Sequence, residues 1–112
     1  MKIKKERVER IRSLLLKEVS LYIQYKMGII DFQITKVLLS SDLKQAKFLF
    51  VNIYEENNRL NNKLSELENF LNRNSKKIRN DLFRKLGLRY VPEFVFEYDK
   101  FTFEYDIGGK EV

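Results

Sequence analysis

The 112-residue sequence has no cysteine, no histidine and no tryptophan, one proline and four glycines. Without cysteine there is no disulfide framework, no thiolate metal site and no cysteine nucleophile. Without histidine there is no imidazole to move protons near neutral pH, and the commonest metal ligand is missing. Any reaction would have to run on carboxylates, lysine, tyrosine or hydroxyls. No apolar run approaches the ~18–20 residues that span a bilayer. The opening Met1–Arg7 passes straight into mixed charge, without the apolar core of a signal peptide. The expectation is a cytoplasmic chain with no membrane partner, no cofactor, no metal and no small-molecule substrate, and the missing cysteines suit a reducing compartment.

What is present is enough for a packed core: 44% of residues are hydrophobic and 13% aromatic, outside the range of disordered chains. This length makes one domain, expected over residues 1–99 and followed by a short acidic tail at 100–112. A monomer is expected. The net charge of +6 favours a polyanionic partner, and its distribution says more than its sum. Residues 1–17 hold seven bases against Glu6 and Glu9, and residues 73–89 hold seven against Asp81 alone. Residues 90–112 hold six acids against Lys100 and Lys110. Two basic segments therefore attract, and the C-terminal stretch does not.

Residues 4–25 carry a helical pattern. Val8, Ile11, Leu15, Val19 and Tyr22 share one face, Leu14, Leu16 and Ile23 widen it, and Gly28 ends the stretch. From Ile29 to Leu39 the residues are β-branched or aromatic, and Ile30, Phe32 and Ile34 alternate with Asp31, Gln33 and Thr35, as in a half-buried strand. Ser40–Lys44 is turn-forming, and Ala46–Tyr54 forms a second strand, so the two make an antiparallel hairpin. Residues 57–73 return to helical spacing with Leu60, Leu64, Leu67 and Leu71. A helix over 75–86 sets Ile78, Leu82 and Leu86 four apart, with Ser75 as N-cap and Gly87 just past its end. Asn72, Asn74 and Ser75 put a kink between these helices. A last strand starts near Pro92 and alternates Phe94, Phe96 and Tyr98 with glutamates and Val95. The order α-β-β-α-α-β makes a two-layer α+β domain.

Three stretches resemble the ribosome-binding factor A family. Residues 7–23 are similar to its first helix. Residues 34–50 resemble its hairpin, a strand ending in Leu39-Ser40 followed by Asp42-Leu43 and Ala46-Lys47. Residues 78–96 resemble its most specific stretch, with Arg79, Leu82, Leu86 and Leu88-Arg89 followed by Pro92-Glu93-Phe94 and Phe96. The resemblance implies a type-II KH fold, α-β-β-α-kink-α-β. It also implies a non-catalytic ribosome assembly factor that binds the immature small (30S) subunit and 16S rRNA in late maturation and rRNA processing, with a part in cold adaptation. The chain departs from the family pattern at Lys26-Met27-Gly28, and at Ser75-Lys76-Lys77 where the family has Ala-x-Gly at the kink. Here Asn74 and Ser75 are expected to make the kink by competing with the backbone. Phe101–Tyr105 stand where the family extends beyond its last strand. No Gly-x-x-Gly occurs, the loop by which ordinary KH domains clamp single strands.

The candidate RNA-binding residues are the cations of the two basic segments and of the hairpin. They are Lys4, Lys5, Arg7, Arg10 and Lys17, then Lys44 and Lys47, then Lys76, Lys77, Arg79, Arg84, Lys85 and Arg89. Solvated helix faces are the bland alternative for most of them, and Arg79 and Arg89 could instead pair with Asp81 or Glu93. Tyr90 invites base stacking, whereas the alternating Phe94, Phe96 and Tyr98 fit a core. Glu55-Glu56 suit a helix N-terminus better than acid–base chemistry. Two other readings remain. One is a protein-interaction module that uses Leu60–Leu71 as a helix seam without binding RNA. The other is a carboxylate nuclease, which the scattered acids disfavour.

Overall fold

A computed structural model describes residues 5–52 and 60–100, with side chains from residue 65 onward in the second stretch. Lys4, Glu55, Glu56, the strand end at Tyr54, the helix start at 57–59 and the tail from residue 101 lie outside the described residues. The elements are α1 (Lys5–Leu21), β1 (Phe32–Leu39), β2 (Gln45–Asn52), α2 (Leu60–Arg73), α3 (Ser75–Leu86) and β3 (Glu93–Tyr98). β1 pairs antiparallel with β2, and β2 pairs parallel with β3, in the order β1-β2-β3. A parallel pair needs a crossover, which α2 and α3 provide. The helices cover one face of the sheet, giving the expected two-layer α+β domain.

α1 buries Ile11, Leu15 and Val19 and then changes geometry. The expected single helix to residue 25 ends instead in a π turn over Tyr22–Lys26, where Met27 N–H donates to the Tyr22 carbonyl at 3.0 Å. The wider turn keeps Ile23 fully buried while the Tyr22 hydroxyl reaches Asp81 on α3. Leu16, placed by its spacing on the apolar stripe, is 40% exposed. Ile30 likewise lies outside β1, exposed, because the strand begins only at Phe32.

The register of β1 shifts between Ile34 and Lys36, so Thr35 is a bulge. Unbroken alternation from Ile34 would aim Lys36 at the core; the extra residue turns Lys36 out and Val37 in. The Thr35 hydroxyl hydrogen-bonds the buried Asp99 carboxylate, with the Leu49 carbonyl at 3.2 Å. The hairpin loop is held by side chains. Ser40 Oγ donates to Asp42 Oδ1 at 2.8 Å, Asp42 Oδ1 accepts Lys44 N–H at 3.0 Å, and Gln45 N–H donates to Ser40 Oγ at 2.9 Å. Leu43 is left at φ 59°, a left-handed conformation uncommon for leucine.

Phenylalanines dominate the core. Phe48 stacks on Phe96 at 5.2 Å between ring centroids and meets Phe94 edge-on at 5.1 Å, while Phe32 packs on Phe50 at 5.3 Å. Phe94, Phe96 and Tyr98 are buried, as their alternation implies. Leu71 is fully buried and Leu67 packs against the core. The seam reading of Leu60–Leu71 is corrected at these two positions: their side chains are spent on the chain's own sheet.

α3 runs from Ser75 to Leu86, with Gly87 past its end at φ 61°, a left-handed cap that glycine adopts without a Cβ penalty. The N-cap is Asn74 rather than Ser75. Its side chain does not cap α3 but reaches back, Nδ2 donating to the Phe70 carbonyl of α2 at 2.8 Å. The Phe70 carbonyl also accepts the Asn74 backbone N–H at 3.1 Å, so the side chain adds a second donor there and displaces no backbone bond.

Side chains of α2 also close the free edge of β3. Asn72 Nδ2 donates to the Phe96 carbonyl at 2.8 Å and its Oδ1 accepts Phe96 N–H at 2.8 Å. Glu68 accepts Tyr98 N–H at 2.8 Å. On β1, Gln24 Nε2 and Arg12 Nε donate to the carbonyls of Phe32 (2.7 Å) and Val37 (3.0 Å).

Candidate nucleic-acid interface

α1 and α3 lie side by side, and Lys5, Arg7, Arg10 and Lys17 on α1 and Lys76, Lys77, Arg84 and Lys85 on α3 are all exposed. On α3 the turn of the helix brings Lys76, Asn80 and Arg84 into line, one side away from the buried Ile78, Leu82 and Leu86. Phe83 lies beside that line and is 47% exposed. Helical spacing alone assigns Phe83 no role. Its signal was its position off the Ile78–Leu82–Leu86 stripe, where an aromatic has no core to enter.

Three segments distant in sequence meet at one end of the sheet. The start of α1 brings Arg7, the β1–β2 loop brings Lys44, and the α3–β3 connection brings Arg89 and Tyr90, with Arg79 beneath. They line a groove of about 850 Å³. Glu93 N–H donates to the Lys44 carbonyl at 2.9 Å and ties the loop to the start of β3. Arg79 is half-buried: its Nε and Nη2 donate to the Val91 carbonyl at 3.0 and 2.6 Å, and its Nε lies 3.0 Å from the Pro92 carbonyl. Arg79 therefore holds the α3–β3 connection through carbonyls, not through Asp81. Among the described residues Arg7, Lys44 and Arg89 make no ion pair, and Arg89 does not bridge to Glu93.

Other candidates stand apart. Lys47 points to the open face of the sheet and pairs with Glu97 at 3.1 Å. Lys77 pairs with Asp81 at 3.7 Å. Lys85 borders a separate cleft of about 560 Å³ with Glu18, Tyr25, Lys26 and Asp81. Asp42 is held below the usual carboxylate range by the Lys44 N–H and then the Ser40 hydroxyl. It therefore stays ionised inside its own loop. Among the described residues no group of acids is arranged to hold a metal ion, and no helix is long and apolar enough to cross a membrane.

The Tyr22–Asp81 contact joins the π turn to α3. Burial, then the hydrogen bond to Asp81, push the Tyr22 hydroxyl from 10.0 up to about 12, while that same hydroxyl, with Lys77 nearby, holds Asp81 below its ordinary value. The folded chain thus keeps Tyr22 protonated where the unfolded chain loses the proton. The tyrosine contribution is complete below pH 10 and is lost as pH rises toward about 12. The Asp81 contribution is complete above the ordinary carboxylate value and is lost in acid. Urea midpoints measured from pH 9 to 12 should fall more steeply for the wild type than for Tyr22→Phe; parallel curves would count against the link.

The comparisons agree with this architecture. The family model for ribosome-binding factor A matches residues 7–106. A ribosome-binding factor A from Caldicellulosiruptor saccharolyticus is 33% identical over 102 residues, covering 84% of this chain and 70% of that protein. The crystal structure of ribosome-binding factor A from Thermus thermophilus superimposes with a TM-score of 0.64 at 17% identity, over 80% of this chain and 93% of that one. A solution structure of a Thermotoga maritima protein, described as a ribosome-binding factor A, gives a TM-score of 0.57 at 22% identity, over 83% of both chains. These neighbours share the KH-like arrangement of three helices on a three-stranded sheet, and with the match over residues 7–106 they establish that the chain belongs to the ribosome-binding factor A family.

Proposed function

We propose that this chain is a non-catalytic assembly factor that binds the immature small ribosomal subunit in the cytoplasm through its 16S rRNA, during late maturation and rRNA processing, with its greatest importance in the cold. The observation that carries the RNA reading is the meeting of Arg7, Lys44 and Arg89, none of them in an ion pair among the described residues, beside the exposed cations of α1 and α3. Such a surface captures a phosphate backbone at long range and then selects folded RNA by shape. Arg79 and Lys47 take structural parts in this reading, and the remaining candidate cations contact phosphate. The absence of Gly-x-x-Gly argues against the clamp that ordinary KH domains use.

Sedimentation of the purified protein with isolated small and large subunits, across a salt series, tests the proposal. Preferential pelleting with the small subunit, strongest with immature particles and falling steeply with salt, is expected. Equal or absent pelleting with both subunits would reject it. A salt-insensitive dimer without RNA affinity would favour a protein-interaction module.

A further inference from the structure

The groove among Arg7, Lys44, Arg89 and Tyr90 has a chemistry that the phosphate backbone alone does not use. Its floor is apolar: Val91 and Pro92 are buried, and Leu43 and Leu88 are half-buried. Its rim is cationic. Arg7, Lys44 and Arg89 face it without ion pairs among the described residues, while Asp42, one of its two acids, is committed to Ser40 and to Lys44 N–H. Beside the rim stands Tyr90, 81% exposed. A ring that open next to guanidinium groups has no packing role in the fold, and the aromatics of β3 show that this chain buries such rings where a core position exists. The volume of about 850 Å³ falls within the ~300–1,000 Å³ of ligand clefts.

We infer that this groove holds an unpaired nucleotide of RNA, its base stacked on Tyr90 over the apolar floor and its phosphates on Arg7, Lys44 and Arg89. Duplex RNA keeps its bases stacked inside, so it satisfies the rim but leaves the ring and floor empty. Only an unstacked nucleotide presents a flat apolar face and a negative charge within one residue. An acidic peptide satisfies the charge without the base. The site requires no Gly-x-x-Gly, because side chains from three segments do the gripping. The inference rests on the RNA reading above and adds to it a single-stranded ligand and the aromatic that receives it.

The test measures anisotropy of the full-length protein with a labelled single-stranded oligoribonucleotide and with a duplex of the same sequence. Tyr90→Ala should weaken single-strand binding roughly tenfold, the scale of one lost base stack. Its duplex affinity and its sedimentation with subunits should change far less, and Tyr90→Phe should bind as the wild type does. Because Tyr90 is exposed, neither variant is expected to disturb folding, and an unchanged thermal midpoint verifies this. The inference is overturned if Tyr90→Ala binds the single strand like the wild type, or if a polyglutamate peptide competes as well as RNA and with the same dependence on Tyr90. Subunit binding that persists while Tyr90 is silent removes the groove site alone. Loss of all subunit preference in the wild type removes the functional proposal as well.

Discussion

Phe48→Ala is expected to cost about 3–5 kcal/mol, the usual range for emptying a buried phenylalanine site. The ring is fully buried, stacked on Phe96 and edge-on to Phe94. Phe48 sits on the central strand, so its removal uncouples the packing of β2 from that of β3. Both neighbours are themselves held by the sheet and cannot collapse far into the cavity. A domain of this size has ~5–15 kcal/mol of stability to lose, and the thermal midpoint should drop by more than about 10 °C. Phe83→Ala is the control. The side chain is nearly half exposed and should change stability by no more than ~0.5 kcal/mol. Urea titrations of the two variants decide the matter, and similar losses in both would refute this account of the core.

Replacing Lys76, Arg84 and Lys85 together by alanine is expected to leave stability nearly unchanged and to weaken binding to the small subunit roughly a hundredfold at moderate salt. The three side chains are exposed on α3 and make no ion pair among the described residues. Each phosphate contact releases close to one counterion, so the slope of log affinity against log salt should flatten by about two to three. Slope and affinity must change together. A weaker affinity with an unchanged slope would mean that these cations shape the protein rather than meet phosphate. Lys77 is left in place because its pairing with Asp81 connects it to the Tyr22 contact.

Much of the fold can be read from spacing alone, because burial imposes the period of each element. The Ile78, Leu82 and Leu86 stripe with Gly87 behind it marks α3 to the residue, and Phe94, Phe96 and Tyr98 mark β3. The misplaced details depend on contacts between distant segments. The π turn at Tyr22 coincides with a hydroxyl that meets Asp81, 59 residues away. The bulge at Thr35 is anchored by Asp99, beyond the end of the last strand. Asn74 rather than Ser75 stands at the N-cap of α3, and its amide bonds a backbone carbonyl of the preceding helix, a partner that spacing does not mark. The candidate site was legible as a list of cations but not as a place. Arg7, Lys44 and Arg89 belong to three stretches whose convergence depends on the parallel placement of β3 beside β2. The role of Arg79 was hidden for a related reason: its partners are backbone carbonyls, which leave no trace in side-chain identity.

The amide of Asn72 does for Phe96 what a neighbouring strand would do, offering one donor and one acceptor at strand spacing. The sheet is therefore terminated chemically at its β3 margin. An extended peptide approaching there finds the Phe96 groups already taken, and the Tyr98 N–H occupied by Glu68. Recruitment by β-strand addition, whether of a foreign segment or of another copy, is blocked along this stretch. This termination keeps the β3 margin of a phenylalanine-rich sheet from pairing with a strand of its own kind.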